Sequence, residues 1–190
     1  MKSLNIFKQA VQTLSIFALF FAACTLHAEP PKVGEPAPDF SLSGLDGTSA
    51  QLSALAAKDR VVLVVLRGWP GYQCPLCTQQ VHDLVTGASD LRKRHVKMVF
   101  VYPGPAEALK EHASEFLKGK DWPKDWVFLV DPDYTMVNSY GLRWDAKNET
   151  AYPSTFIVER GGKVQFAKIS KEHGGRITRA DLLRALDASM

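Results

Sequence analysis

Cysteine is scarce in this chain, whose 190 residues include only Cys24, Cys74 and Cys77. A structural zinc site takes four ligands, which often come from two close cysteine pairs. This sequence has one such pair, so a zinc site built from Cys74, Cys77 and a histidine such as His82 is disfavoured. The close pair of Cys74 and Cys77 therefore indicates a role other than zinc binding.

Other absences narrow the class of protein. The apolar stretch at residues 15–23 is about half of the roughly 20 residues that a bilayer span requires, which disfavours a permanent transmembrane helix. The formal net charge is only +3, and basic and acidic residues are interspersed. The sequence therefore lacks the strong positive charge that is usual in nucleic-acid-binding proteins, and we expect no nucleic-acid partner. Internal repeats and low-complexity tracts are also missing.

The N-terminus has the pattern of an export signal. Lys2 and Lys8 precede the apolar stretch, and Ala28 is a small residue before Glu29. We therefore predict a signal peptide at 1–28, a mature domain at 29–190, and an exported, periplasmic protein. The alternative is a lipoprotein cleavage box at 21–24, which would leave an acylated Cys24 and tether the protein to a membrane. Membrane contact is expected only in that case.

With the leader removed, Cys74 and Cys77 are the remaining cysteines, and they follow a buried strand at residues 61–66. A single close pair in an oxidising compartment indicates electron transfer. The start of a helix stabilises a thiolate, and Pro75 suits a first helical turn. The two-residue spacing allows the sulfurs to form a disulfide bond. A static disulfide remains an alternative, although so short a loop gains little stability from one.

Hydrophobic periodicity predicts an α/β fold. A helix should run from Pro75 towards Arg92 with a kink at Gly87, and another should begin near Pro105. A β-hairpin joined by residues 161–162 and a final helix from Thr178 follow. The element order is that of a thioredoxin-like fold, with a central mixed β-sheet flanked by helices. Other expected elements are a short strand around 40–42, a helical turn at 53–57, strands at 96–101 and 126–130, and a short helix at 134–140.

Three further segments carry specific expectations. In the thioredoxin-like fold Pro153 would follow a cis peptide bond and face the cysteines, the alternative being an ordinary proline at a strand entry. The segment from His173 to Arg176 is expected to be a solvent-exposed connection, the alternative being a polar loop near the active site. Trp122 and Trp126 are expected to cover the core.

Several motifs together resemble the peroxiredoxin-like group, the alkyl hydroperoxide reductase C/thiol-specific antioxidant superfamily within the thioredoxin fold. The resemblance covers roughly residues 33–186. It rests on Val33-Gly-Glu-Pro-Ala-Pro-Asp-Phe40 with Leu42 and Asp46-Gly47, Arg67-Gly68 before the Cys-Pro-Leu-Cys loop, Asp131-Pro-Asp133, Tyr140-Gly-Leu-Arg143 and Pro153-Ser-Thr-Phe-Ile-Val158.

The resemblance implies a role for each cysteine. Peroxiredoxins carry a Pro-x-x-x-Thr-x-x-Cys loop whose last residue attacks peroxide, and the segment from Pro70 to Cys77 fits that spacing with Cys74 in the threonine position. Cys77 would then attack and Cys74 resolve. The family's supporting arginine lies just before the late strand, where this chain has Pro153. Arg67 or Arg143 would have to replace it.

A competing template is the exported thioredoxin-like reductases, which act on protein disulfides through a Trp-Cys-Pro-x-Cys loop and a cis-proline. Pro75 and Pro153 favour this comparison, whereas Trp69 lies too far before Cys74. Under this template Cys74 attacks and Cys77 resolves.

The leading hypothesis is an exported thiol-dependent oxidoreductase that reduces hydroperoxides or related oxidants and takes electrons from a thiol/disulfide protein. It needs no metal or organic cofactor. The alternatives are a protein disulfide oxidoreductase, and a non-catalytic binding module with a structural disulfide.

Overall fold

The computed structural model describes residues 28–188. The predicted signal peptide and the acylation site at Cys24 lie outside the described residues, so both stay predictions. Within residues 28–188, no helix combines the length and the apolar character needed to cross a bilayer.

Residues 28–188 form one seven-stranded sheet with helices on both faces. The strands are β1 (Ser41–Gly44), β2 (Ser49–Gln51), β3 (Arg60–Val65), β4 (Val96–Gly104), β5 (Val127–Pro132), β6 (Ser154–Val158) and β7 (Val164–Ile169). The helices are α1 (Leu52–Ala56), α2 (Pro75–Thr86), α3 (Ala88–Lys93), α4 (Leu109–Leu117), α5 (Thr135–Ser139) and α6 (Arg179–Asp187).

The sheet is mixed, with the order β2-β1-β5-β4-β3-β6-β7. Strands β3, β4 and β5 are parallel to one another, and the remaining pairs are antiparallel. Strand β3 lies inside the sheet, between β4 and β6. The predicted α/β architecture with a central mixed sheet is confirmed.

The apolar run in β3 is buried on both faces, which explains why it lacks polar alternation. Val62 and Val64 pack in one core with residues of α2, α4 and α6. Leu63 and Val65 pack in a second core, on the opposite face, with residues of α1 and α5. Strand β3 is therefore fixed on both sides, and the loop that follows it starts from a rigid point.

Most of the predicted elements are confirmed, including the hairpin of β6 and β7 and the final helix, which is capped by the Thr178 side chain. The helix after the cysteines divides at Gly87 into α2 and α3, as the predicted kink requires. A Cβ at Gly87 would lie 2.1 Å from Cδ of Arg179, so a larger residue there would displace that side chain. Trp122 and Trp126 pack around Phe100, which confirms their place in the core.

Two predictions are wrong. The helix expected near Pro105 begins only at Leu109, because Pro103 and Gly104 continue β4 by pairing with β5. No peptide bond among residues 28–188 is cis, so Pro153 follows a trans bond. It is buried before β6, and its carbonyl accepts a hydrogen bond from the Ser170 N–H at 2.9 Å. Pro153 thus behaves as a proline at a strand entry.

Candidate active site

The loop between β3 and α2 carries the cysteines to the carboxyl ends of the parallel strands. Gly68 has a φ of +74°, and a Cβ there would lie 1.9 Å from the Pro103 carbonyl oxygen. The N–H of Trp69 donates to that same oxygen at 2.9 Å. Only glycine allows so close an approach at a positive φ, and the loop is thereby held against the end of β4.

Further contacts fix the loop from the side of α4. The Trp69 ring stacks on His112 with centroids 3.6 Å apart. Gln73 donates from Nε2 to the His112 carbonyl at 2.8 Å and accepts from the buried Tyr102 hydroxyl at 2.9 Å. The residue just before Cys74 is therefore held by hydrogen bonds on two sides.

Cys74 is the N-cap residue of α2, Pro75 is the first helical residue, and Cys77 lies in the first turn. Both cysteines are free thiols in this structure, with Cys74 4% exposed and Cys77 fully buried. The side chain and the backbone N–H of Cys77 are both among the causes that lower the pKa of the Cys74 thiol. The start of α2 therefore places the two sulfurs near each other.

The surroundings move the two thiol pKa values in opposite directions. The hydrogen bond from the Cys77 thiol, together with the Cys77 N–H and the cations Arg176 and Arg67, lowers the pKa of Cys74 to about 5 despite its burial. Burial, followed by the neighbouring Cys74, raises the pKa of Cys77 well above its usual value. At neutral pH Cys74 is the thiolate and Cys77 is the thiol.

Arg176 supplies a cation beside the cysteines, which agrees with the alternative interpretation of its segment as a polar loop near the site. Its Nη2 donates to the Cys74 Sγ at 3.6 Å, and its Nη1 donates to Oε1 of Gln80 at 3.2 Å. The segment before it is exposed, as predicted, but Arg176 itself is half-buried and turns towards the sulfur. This contact joins residues 102 positions apart, so no local pattern could have indicated it.

Of the two arginines named as replacements for the family's arginine, Arg67 lies beside the cysteines. Its backbone N–H donates to the Cys77 Sγ at 3.4 Å, and its guanidinium also lowers the pKa of Cys74. The guanidinium is buried and donates to Oε2 of Glu149 at 2.6 Å and to the Tyr72 hydroxyl at 2.7 Å. Arg67 therefore contributes to the surroundings of both sulfurs.

Arg143 is engaged elsewhere. Its Nη1 donates to the carbonyls of Trp144 and Thr150, at 2.7 and 2.6 Å. Its guanidinium also lies over the Tyr134 ring, 4.1 Å from the centroid. These bonds hold the chain segment between α5 and β6.

The remaining candidates from the sequence have other positions. Pro70 is half-buried in the bend of the loop, and His82 lies on the exposed side of α2. Within residues 28–188, no group of three or more His, Cys, Asp or Glu side chains could hold a metal ion.

The surface around Cys74 has an apolar part. Tyr72 and Leu76, which flank Cys74 in sequence, are 44% and 37% exposed. Leu76 also lines a cleft of about 290 Å³, together with Gln80 and Arg176. Exposed apolar side chains and a cleft thus lie next to the start of α2, where Cys74 is the N-cap residue.

Comparison with known proteins agrees with this geometry. The Redoxin family model matches residues 32–186. Thiol-disulfide oxidoreductase ResA of Geobacillus thermodenitrificans is 27% identical over 92% of this chain and 85% of its own length. Peroxiredoxin Bcp of Escherichia coli K12 is 24% identical over 72% of this chain and 84% of its own length.

Solved structures bear on the fold. The crystal structure of reduced Prx3 from Vibrio vulnificus in complex with H2O2 superimposes with a TM-score of 0.69 at 18% identity, and the match covers 82% of this chain and 98% of that one. This similarity confirms the predicted thioredoxin-like fold. With the family model spanning nearly all of the described residues, the chain belongs to the Redoxin family and is a peroxiredoxin-like, thiol-dependent oxidoreductase.

Proposed function

We propose that this protein reduces hydroperoxides, with Cys74 as the attacking thiolate and Cys77 as the resolving thiol. The observation that supports this most directly is the asymmetry of the pair. Cys74 receives a hydrogen bond from Arg176, and Cys77 and nearby cations lower its pKa, whereas Cys77 is buried and its own pKa is raised. This asymmetry supports different roles for the two sulfurs before any substrate arrives.

In the first step the Cys74 thiolate attacks the distal oxygen of the hydroperoxide. An S–O bond forms and the O–O bond breaks, so Cys74 is oxidised by two electrons to sulfenic acid. The leaving oxygen departs as an anion and takes one proton from the solvent, so the hydroperoxide is reduced to an alcohol, or to water when the substrate is hydrogen peroxide. Arg176 and Arg67 stabilise the thiolate, and a cation this close to the sulfur can also stabilise the negative charge that develops on the leaving oxygen.

In the second step the Cys77 sulfur attacks the sulfenic sulfur of Cys74, which forms a disulfide and releases water. Oxidation of Cys74 removes the neighbouring thiolate, one of the causes of the raised pKa of Cys77. The N–H of Arg67 already donates to the Cys77 sulfur and stabilises its anion. A thiol donor then returns two electrons and two protons, and the scheme uses no metal or organic cofactor.

The burial of Cys74 favours a small oxidant. Only 4% of the residue is exposed, so a hydroperoxide group can approach the sulfur more readily than the backbone of a folded protein can.

The roles proposed for the cysteines, with Cys74 attacking and Cys77 resolving, are the reverse of those implied by the peroxiredoxin loop spacing. They agree with the template of the thioredoxin-like reductases.

Rapid mixing of the reduced protein with hydrogen peroxide tests this function. The wild type should lose both thiols quickly and gain one intramolecular disulfide. Cys77→Ser should stop at a sulfenic acid on Cys74 that a dimedone probe captures. Loss of thiols at the rate of free cysteine in the wild type would contradict peroxidase activity.

A second candidate is disulfide exchange with a protein partner, and the exposed Tyr72 and Leu76 favour it. It shares the attacking residue, since a low-pKa thiolate also attacks disulfides. Under this function Cys77→Ser should accumulate mixed disulfides through Cys74, and the wild type should reduce a protein disulfide faster than it reduces peroxide.

We further propose that the protein works after export, in the periplasm, on the strength of the leader pattern at residues 1–28. Fractionation of cells that express the full chain tests this, together with the mass of the mature protein. A mature N-terminus at Glu29 supports export of a free protein, whereas an acylated Cys24 supports the membrane-tethered alternative.

A further inference from the structure

The carboxylate of Glu149 contacts both loops from which an arginine, Arg67 or Arg176, reaches the cysteines. Glu149 lies between α5 and β6, and its side chain is only 10% exposed. Its Oε2 accepts from Nε of Arg67 at 2.6 Å, and its Oε1 accepts from Nε2 of His173 at 2.7 Å. Arg67 belongs to the loop before α2, and His173 belongs to the loop between β7 and α6. Glu149 thus holds both loops at once.

His173 also contacts Arg176, so the restraint that Glu149 places on His173 limits the position of Arg176 as well. The His173 carbonyl accepts a hydrogen bond from Nε of Arg176 at 3.1 Å. Gly174 and Gly175 separate the two residues, and Gly175 has a φ of +67°. Two consecutive glycines leave the backbone many conformations, so a fixed point at His173 limits where the guanidinium can lie.

The ring of His173 has a second contact, because it packs against Trp144 with centroids 5.1 Å apart. The same loop is also held by Ser170, whose hydroxyl donates to the Glu172 carbonyl at 2.9 Å. Ser170 therefore restrains the start of the loop, while the bond from His173 to Glu149 restrains it next to Arg176.

The charge of Glu149 suits this role. Burial alone would raise the pKa of Glu149, but the hydrogen bonds from Arg67 and His173 outweigh it and lower that pKa. The group is therefore a carboxylate at neutral pH and can accept from both neighbours. Hydrogen bonds to a charged acceptor are stronger than neutral ones, which makes this anchor firmer than an ordinary loop contact.

We propose that Glu149 and His173 are positioning residues, whose hydrogen bond fixes the loop between β7 and α6 so that Arg176 stays on the Cys74 sulfur. This inference deepens the proposed function and depends on Cys74 being the attacking thiol. Neither residue touches the reacting atoms. Their effect reaches the thiolate through the placement of the Arg176 guanidinium.

Two variants of the half-exposed His173 separate the hydrogen bond from ring packing and leave the buried pair of Arg67 and Glu149 intact. His173→Phe keeps an aromatic ring against Trp144 but has no donor for Glu149. His173→Gln loses the ring but keeps an N–H that can donate to the carboxylate.

The readout is the pKa of the Cys74 thiol, measured from the ultraviolet absorbance of the thiolate across a pH series on the reduced protein. We expect His173→Phe to raise this pKa by about one unit, the size of effect typical of a displaced neighbouring cation. His173→Gln should recover at least half of the difference. A wild-type pKa in His173→Phe, or equal shifts in both variants, overturns the proposal.

A double variant tests the route through Arg176. Arg176→Ala alone should raise the pKa of Cys74, and adding His173→Phe should raise it no further, because both changes remove the same contact. Additive shifts would mean that His173 acts without Arg176 and would overturn the inference. The proposed function fails separately, if the wild-type Cys74 itself shows no lowered pKa.

Discussion

Arg176 and Cys74 meet at the start of α2, with Nη2 of the arginine 3.6 Å from the Cys74 sulfur. The arginine arrives from the loop after β7, near the end of the chain. The family resemblance had directed attention to the position before β6, which Pro153 occupies. A cation is thus present at the Cys74 sulfur although the expected position before β6 lacks one.

Removing this cation should weaken the nucleophile. Arg176→Ala should raise the pKa of Cys74 by about one unit and slow the reaction with hydrogen peroxide roughly tenfold or more, since both the thiolate and the developing oxyanion lose a donor. Stopped-flow kinetics on the reduced protein measure the rate. The matched control is Arg179→Ala, which removes a cation three residues away that pairs with Asp83 at 3.5 Å. If both variants react with hydrogen peroxide equally slowly, the effect comes from the overall surface charge and not from the contact between Arg176 and Cys74.

The pH dependence of the reaction should follow the Cys74 thiolate. Because the pKa of Cys74 is lowered to about 5, the rate with hydrogen peroxide should fall as the pH drops through that value and stay level above it. A rate that rises only near pH 8.5, the usual pKa of a free thiol, would contradict the lowered pKa.

Stability should depend on the same group. Between pH values of about 5 and about 8.5, the unfolded chain carries a proton on Cys74 that the native state lacks. The contribution of Cys74 to the free energy of unfolding therefore grows as the pH rises through this window, and it is lost as the pH falls back to the folded pKa. Urea titrations of the reduced wild type and of Cys74→Ser at several pH values measure it. Parallel pH profiles of the two proteins would contradict the assignment.

The loop before the cysteines should tolerate almost no change at Gly68. Gly68→Ala places a Cβ against the Pro103 carbonyl at a positive φ, and we expect a loss of about 3 kcal/mol or more in the free energy of unfolding. Gly71→Ala is the control, because it also has a positive φ but meets open space. Its cost should be about 1–2 kcal/mol. Similar losses in the two variants would show that close packing at Pro103 is unimportant.

The exposed Leu76 should matter for a protein electron donor. Leu76→Ser removes an apolar contact next to Cys74, which we expect to raise the KM for a protein dithiol donor about fivefold, equivalent to ~1 kcal/mol. Turnover with a small dithiol should not change. Val33→Ser, at another exposed apolar residue, is the control. If Leu76→Ser loses turnover equally with the protein donor and with the small dithiol, Leu76 affects the active site and not the docking of the donor.

Local patterns in the sequence predicted the fold well. The residues of β3 are apolar without interruption because both faces of that strand are buried, and Gly161 and Gly162 mark the hairpin turn. The start of α4 was missed for a physical reason. Pro103 and Gly104 pair with β5, a tertiary contact that overrides the helix signal of Pro105, and α4 begins after Ala108 in a left-handed conformation.

The site could be predicted only in part. The spacing of Cys74 and Cys77 was sufficient to identify the pair, because both residues lie in one helical turn. The direction of its asymmetry was not predictable. It depends on the burial of Cys77 and on Arg176, which reaches the sulfur from a distant loop.

The most direct test is to locate the first oxidised sulfur. Reduced wild-type protein, Cys74→Ser and Cys77→Ser are each mixed with one equivalent of hydrogen peroxide in the presence of dimedone, and the labelled peptide is identified by mass spectrometry. The account predicts rapid labelling of Cys74 in Cys77→Ser and no rapid labelling in Cys74→Ser. Rapid labelling of Cys77 in Cys74→Ser, with Cys74 inert in the other variant, would contradict it.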